Sequence, residues 1–463
     1  MKAVALDFGA GSARIAVGEL ADNRISFRIV RQIAHEARLV DGLLRWEFKA
    51  LLEFCKEAVN LAESEHASSL GIDSWGVDHG FLDRDGALIA DPVCYRDLSH
   101  VNAFESLAPY RRKLYELTGT QHQPFNTICQ LVARRLERPT LVTEASDWMI
   151  LPDLLGYMLG GGRCSELTQA STTQLLGCDD TWSSEAFEIA GWPMPQRTLT
   201  MPGAVVGQVG PGISLVTVGS HDTASAVAGF GKLSPTDVFL NIGTWSLCGL
   251  IVDRCLTSSQ VERFGFTNER TVDGKVRLLK NIPGFYFINR LHSELGVECT
   301  VPQWLETAGT AEETLDLFDA EFFNPSSMVE TCVQRLSRSP SSHAMWAAVA
   351  LESLAEAVLT TCSQLAEVTG HKATSLHVGG GGSQSQALCF RLANRLKLPV
   401  VVGAPESTVL GNLAAQFLGQ GAIETWEKAF DIVNQSFKST TYLPAETSVA
   451  STPHKLPPTP TEA

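Results

Sequence analysis

The stretch Ala3–Leu20, AVALDFGAGSARIAVGEL, sets a small polar loop between two apolar, β-prone runs. That order predicts a β-hairpin, and Gly9, Ala10, Gly11 and Ser12 are small enough for the turn backbone to bend closely around a ligand. The same grammar returns at Val238–Val252, VFLNIGTWSLCGLIV. Two similar openings about half a chain apart predict a duplicated domain rather than a solenoid, whose repeats run roughly 20 to 50 residues.

A chain of 463 residues exceeds what one hydrophobic core usually serves, so two domains and a cleft between them are expected. We place the first at 1–235, the second at 236–445, and a Thr/Ser/Pro-rich tail expected to be disordered at 446–463. A composition of 44% apolar and 19% charged residues is that of an ordinary globular protein, and a net charge of −15 argues against a nucleic-acid partner. The 11 cysteines form no C-x-x-C pair, which fits a reducing compartment without structural zinc. Asp7 and Arg14 interrupt the amino-terminal apolar run where a signal peptide needs continuity, and no other run approaches the roughly 20 residues of a membrane span. A cytoplasmic protein without a membrane partner, monomeric or homodimeric, is expected.

Residues 68–89, SSLGIDSWGVDHGFLDRDGALI, hold two strand-like runs and an Asp-Gly turn, and 145–161 turn helical after Pro152. Residues 345–370 carry apolar side chains at helical spacing and end on Gly370, a C-cap residue. Residues 375–396, SLHVGGGGSQSQALCFRLANRL, read as strand, glycine turn and helix, which brings backbone N–H groups to a phosphate or nucleotide. No G-x-x-x-x-G-K-[ST] occurs and the glycine run lacks dinucleotide-fingerprint spacing. Two hairpin turns and a late glycine loop instead suit a nucleotide held between two related domains.

Residues 219–230, GSHDTASAVAGF, set His221 and Asp222 side by side at the start of a helical segment. Asp is a preferred N-cap, so a capping role and a catalytic one both stand on this stretch alone. Phosphoryl transfer asks for donors and cations around the phosphates, a carboxylate near the metal, and a base beside the attacking hydroxyl. DFGAGSAR supplies the small loop, Arg14 and Asp7; HDTASAV supplies the base. Trp75 is as readily a core aromatic as a sugar contact, and Asp73 and Asp78 read equally as turn or network residues.

The motifs DFGAGSAR, GIDSWGVDHGFLDRDGALIADPVCYRD, QPFNTICQL, LPDLLGYMLGG, LTQASTTQLL, GSHDTASAVAG, NIGTWSL, FTNE, LLKNIPGFYFIN, GGGSQSQ and ESTVLGN follow one another from Asp7 to Asn412. In this order they resemble the FGGY carbohydrate kinases of the actin-like ATPase superfamily, over nearly the whole chain. The resemblance implies an α/β fold of two actin-like, ribonuclease H-like domains with a central cleft. It implies that Ala10, Gly11, Ser12, Ala13 and Arg14 line the ATP phosphates, that Thr244 approaches the γ-phosphate, and that Asn289 and Gly381 lie along the nucleotide. Asp7 would orient Mg2+ through water. Gly76, His221, Asp222, Thr223 and Asn281 would contact a ketose, with Asp222 as proton acceptor.

Within that family, the resemblance of SWGVD and HDTASAV implies a ketose kinase acting on the C1 hydroxyl of L-rhamnulose rather than a member of the xylulose, glycerol or gluconate branches. L-fuculose and L-xylulose are the alternatives. The sequence departs from the family at Asn289, where Gln is common, in AGSAR, where a second Ser and a Gly are commoner, and at Gly379 and Ser385. An ATP-driven interaction protein of the same fold would need a peptide-binding domain that the sequence lacks. A non-catalytic sugar sensor would be expected to have lost Asp7 or Asp222.

Overall fold

The computed structural model describes residues 1–243, 245–323 and 325–445; Thr244, Asn324 and the tail 446–463 lie outside the described residues. Lys2–Phe8 and Ser12–Ala21 form the expected hairpin, in antiparallel register from Lys2 opposite Glu19 to Phe8 opposite Ala13. Both strands are largely buried, which places this hairpin inside a sheet rather than at its rim.

That sheet has six strands in the order Val205–Gly210, Ile213–Val216, Ser69–Ser74, Lys2–Phe8, Ser12–Ala21, Arg24–Ala34. The second sheet has seven: Thr267–Arg270, Val276–Ile282, Ser246–Val252, Asp237–Ile242, Ser375–Gly379, Val400–Val402, Thr440–Tyr442. Each hairpin pairs antiparallel with a third strand on one side. On the other side each pairs parallel with Ser69–Ser74 or Ser375–Gly379, then with Ile213–Val216 or Val400–Val402, and closes on an antiparallel edge strand. The duplication expected from the two openings is therefore a duplication of sheet order.

Each sheet packs its own apolar core. Leu6, Ile15, Phe54 and Leu70 share the first, and Leu240, Leu278, Phe287 and Leu354 the second. The helices Ser407–Gly419 and Trp426–Ser436 return to the first sheet, where Leu413, Phe417 and Ile432 meet Ala3, Ala5 and Ile25. Helix Ser407–Gly419 also crosses helix Asp222–Ala228 at glycines: a Cβ on Gly411 would stand 1.9 Å from Ser225 O, and one on Gly229 2.0 Å from Ser407 O. No larger residue fits at either position, so the end of helix Asp222–Ala228 is held against the start of helix Ser407–Gly419.

One expectation is corrected. The helix His343–Thr369 is long and apolar enough, by length and composition, to cross a membrane, whereas the sequence reading found no such segment. Glu352, Glu356 and Glu367 break its apolar run, which hid its high mean hydropathy. Its apolar window is 72% buried against the second sheet's core, so it is accounted for as a core helix.

Candidate active site

Asp7 and Asp73 are register partners on adjacent parallel strands, one residue from the strands' carboxyl ends. One residue further, Ser74 bridges to His221, with Ser74 N–H donating to Ser220 O at 2.8 Å. Three neighbouring chain segments thus present Asp7, Asp73 and Asp222 along one edge. Asp222 is the first residue of its helix, not the cap: His221 holds the N-cap position at φ −77° and ψ 117° without a side-chain capping bond. The extended backbone of His221 turns the chain so that Asp222 Oδ1 accepts only its neighbour's N–H, that of Thr223 at 2.7 Å. Its Oδ2 has no hydrogen bond among the described residues, and the side chain stays 24% exposed, which leaves an acceptor open to the cleft.

Burial raises the Asp222 pKa to about 6, the charge of Asp7 adds to this, and His221 and Arg277 oppose it. Burial and the Asp7 charge hold Asp73 well above the ordinary carboxylate range. Asp7 is itself raised by burial and pulled down by Arg14, whose Nη1 lies 2.9 Å from Asp7 Oδ2 and 3.2 Å from Glu406 Oε2. Arg14 therefore enters the site already clamped by two carboxylates. Asn412 Nδ2 donates to Asp73 Oδ2 at 2.6 Å, while Asp73 Oδ1 is buried without a partner among the described residues.

That orphaned oxygen bears on magnesium. Among the described residues no group of three or more His, Cys, Asp or Glu side chains stands close enough to hold a metal ion directly. Mg2+ prefers to keep several waters and to be held by one or two carboxylates together with substrate phosphates. The Asp7–Asp73 pair, with one unpartnered oxygen, fits that mode.

His221 Nδ1 lies 3.1 Å from Glu269 Oε2, which also accepts from Arg277 Nη2 at 3.0 Å. Arg277 is fully buried and its Nη1 donates to Thr223 Oγ1 at 2.8 Å. The His221 ring thus lies between two carboxylates, Glu269 on its Nδ1 side and Asp222 Oδ1 at 3.6 Å from Nε2, with Arg277 Nη2 3.3 Å from Nδ1. Gly76 sits in a segment pinned by Gln169, whose Nε2 donates to Ser74 O, Trp75 O and Ser220 O. A Cβ on Gly76 would press the Thr172 side chain at 3.2 Å. Asn281 is exposed on the face of strand Val276–Ile282 that carries Arg277 and Leu279, but four residues beyond Arg277, on the order of 13 Å along the strand. Trp75 resolves as a buried network residue: it and Trp46 both donate to Asp78 Oδ2, at 2.8 and 2.6 Å, and Gln130 donates to Asp78 Oδ1.

The second hairpin faces the glycine loop. Gly380 has φ +78°, and a Cβ there would stand 2.6 Å from Ile242 O. One on Gly382 would strike Ile242 and Phe285. Gly381, between them, is exposed with open space above it. Phe285 is the second residue of helix Gly284–Glu294, and exposed Asn289, one turn on, lies on the same side of that helix. The loop carrying Gly381 thus packs through Gly382 against Phe285 of the helix that carries Asn289. Ala10, Gly11 and Ser12 form the turn of the first hairpin, closed by Gly9 N–H to Ser12 O at 2.9 Å, while Ala13 points into the core.

Sequence reasoning assigned no role to Glu269, Arg277, Asn412, Glu406 or Arg96. Arg96 Nη2 donates to Ala10 O at 3.1 Å and its guanidinium lies over the Tyr95 and Trp46 rings. Glu269, Arg96, Glu406 and Asn412 lie inside the quoted motifs FTNE, PVCYRD and ESTVLGN, which was their only signal. Arg277 lies in no motif.

A carboxylate edge on one sheet, a glycine groove on a second sheet of the same order, and the cleft joining them define a phosphotransferase of the actin-like, ribonuclease H-like fold. Residues 3–217 match the N-terminal domain, and 238–419 the C-terminal domain, of the FGGY family of carbohydrate kinases. The chain belongs to this family and is a carbohydrate kinase; the family uses ATP as co-substrate. It is 32% identical over 441 residues to a rhamnulokinase of Yersinia pestis (strain Pestoides F), covering 91% of this chain and 90% of the relative. To a rhamnulokinase of Enterococcus faecalis it is 31% identical, covering 95% and 93%. Among solved structures, a gluconate kinase from Lactobacillus acidophilus superposes with a TM-score of 0.79 at 15% identity, covering 96% and 93%. A glycerol kinase of Plasmodium falciparum with ADP gives 0.74 at 13% identity, covering 96% and 94%. At these identities the solved structures attest the fold.

Proposed function

We propose that this kinase transfers the γ-phosphoryl group of ATP to the C1 hydroxyl of L-rhamnulose, giving L-rhamnulose 1-phosphate and ADP. What supports the substrate is the likeness to rhamnulokinases along nearly the whole chain. What supports the mechanism is the open Oδ2 of Asp222, beside a histidine held by Glu269.

In this reading Asp222 accepts the C1 hydroxyl proton as the new O–P bond forms and the bond from Pγ to the bridging oxygen breaks, ADP carrying away the electron pair. A pKa of about 6 suits a general base, because the carboxylate is ionised at neutral pH yet basic enough to take the proton. His221 Nε2 and Thr223 Oγ1 orient sugar hydroxyls, and Gly76 leaves room for the ring. Asn281, on the second sheet, engages the sugar across the cleft. The Ala10–Ser12 turn, Arg14, Thr244, Asn289 and Gly381 hold the nucleotide, while Ala13, paired with Phe8 and packed in the core, does not reach it. Asp7 and Asp73 would hold Mg2+ through water, and the ion, when bound, neutralises charge on the transferring phosphates.

The test is a panel of ketoses with ATP and magnesium, following ADP release. L-rhamnulose gives the highest kcat/KM on this reading. A clearly better turnover of L-fuculose, L-xylulose, xylulose or glycerol would replace the substrate while leaving the kinase intact.

A further inference from the structure

Away from the cleft, three nitrogen-bearing side chains converge with most of their polar atoms unpartnered among the described residues. His79 opens the strand His79–Leu82, His100 opens the helix His100–Leu107, and Arg134 lies in the last turn of helix Thr127–Glu137. They are 4%, 1% and 6% exposed. Both ring nitrogens of His79, both of His100, and Nε and Nη1 of Arg134 are buried without a hydrogen bond among the described residues. All three side chains line one cavity of about 140 Å³.

Buried polar atoms are almost always satisfied by protein or by a bound species, and this cavity gathers six that are not. Arg134 spends only Nη2 on the protein, donating to Ser99 Oγ and, at 3.0 Å, to Glu137 Oε1. Nε and Nη1 are left as two separate buried donors, each able to bond an oxygen of an oxyanion. Each imidazole adds one N–H. Burial pushes His79 down to about 3 and His100 to about 4, and the Arg134 charge contributes to both, so the rings are neutral, while the Arg134 charge itself opposes a cation in the cavity. Of the remaining charged residues on the wall, Glu137 is paired with Arg134, Arg138 with Glu144, Arg45 donates to Asp91 O, and the Asp91 carboxyl is a second acid, raised by burial and pulled down by the Arg45 charge. The rest of the wall, from Leu43 and Phe81 to Leu141, is largely apolar.

We propose that this cavity is a second binding site, for a small phosphate-type oxyanion, with Arg134 as its charged anchor and His79 and His100 as neutral donors. It lies directly behind the sugar-side segment: His79 follows Asp78, which anchors Trp75, and Gln130 both bonds Asp78 and lines the cavity. A phosphate here would be held apart from the transferring one.

The test is calorimetric titration of the full chain with inorganic phosphate at constant ionic strength, with magnesium and a non-hydrolysable ATP analogue at saturation so that the cleft's phosphate positions are filled. One saturable site is expected in the parent protein, weakened at least tenfold in Arg134→Gln. Should Arg134→Gln fail to fold by thermal melt, His79→Phe decides, since that ring already packs edge-on against Phe81 and Trp148 and the change removes only the donors. No saturable phosphate in the parent overturns the proposal. So does unchanged affinity in the folded Arg134→Gln protein, or in His79→Phe where that variant decides.

Discussion

Glu269 Oε2 stands 3.1 Å from His221 Nδ1 and 3.0 Å from Arg277 Nη2, so one carboxylate fixes both an imidazole and a buried guanidinium. Replacing Glu269 with Gln keeps the size but removes the charge that holds the His221 ring and the Arg277 guanidinium in place. A hydrogen bond to a charged group is worth about 1.5–3 kcal/mol. Glu269→Gln is therefore expected to lower kcat/KM for the ketose by about 10- to 100-fold, chiefly through KM, because the carboxylate acts through the sugar-orienting ring. Stability falls as well, since Arg277 is left with an uncompensated buried charge. Steady-state kinetics against ketose at saturating ATP, with a thermal melt, check both. An unchanged KM would remove Glu269 from the sugar site.

The pH dependence follows from Asp222. With its pKa raised to about 6, kcat/KM is expected to fall tenfold per unit as pH drops below about 6, and to be flat just above it. The stability sign is opposite. A carboxylate whose folded pKa exceeds its unfolded value of about 3.9 contributes stability that is complete below that value and is lost as pH rises through about 6. Activity and stability should thus diverge across pH 4 to 6, measurable by parallel rate and melting profiles. A kcat/KM that holds steady down to pH 5 would contradict the Asp222 assignment.

Gly380→Ala tests the nucleotide side. The added methyl meets a φ of +78° and the Ile242 carbonyl at 2.6 Å, so the glycine loop must shift or strain by about 1–3 kcal/mol. Its displacement moves Gly381 away from helix Gly284–Glu294. The expected result is a rise in KM for ATP larger than that for the ketose. Equal effects on both substrates would mean that the loop serves the fold rather than the nucleotide.

What the sequence disclosed and what it withheld divide along physical lines. Hairpins, glycine turns and the long helix are local features, and DFGAGSAR with NIGTWS announced both sheets because a turn and its flanking strands are neighbours in sequence. The partnership of Asn412 with Asp73 spans 339 residues, and that of Arg277 with Thr223 spans 54, so no spacing rule reaches them. Trp75 and Asp78 stood open between packing and function until Trp46, remote in sequence, was found donating to the same carboxylate oxygen. Asp222 was legible as a residue of consequence but not as the first helical residue, because the extended backbone of His221 decides that.

Asp222→Asn separates a structural from a chemical role at the helix start. Asp222 caps nothing with its side chain beyond the adjacent Thr223 N–H, a bond that an Asn carbonyl oxygen reproduces. What Asn lacks at this first-turn position is the charge, whose interaction with the helix N-terminus is worth about 0.3–1 kcal/mol, and the capacity to accept a proton. At pH 8 the loss of helix-end charge is opposed by relief of a buried, like-charged carboxylate, so the variant should melt no lower than the parent by more than that small term. If Asp222 is the base, kcat falls by about 10²- to 10⁴-fold while ketose binding survives on His221, Thr223 and Gly76. The measurement is kcat on the best ketose of the panel, with ketose affinity taken from calorimetry on the inactive variant. A folded Asp222→Asn enzyme that keeps kcat within about threefold of the parent would assign proton acceptance elsewhere, since loss of a general base costs at least about 10².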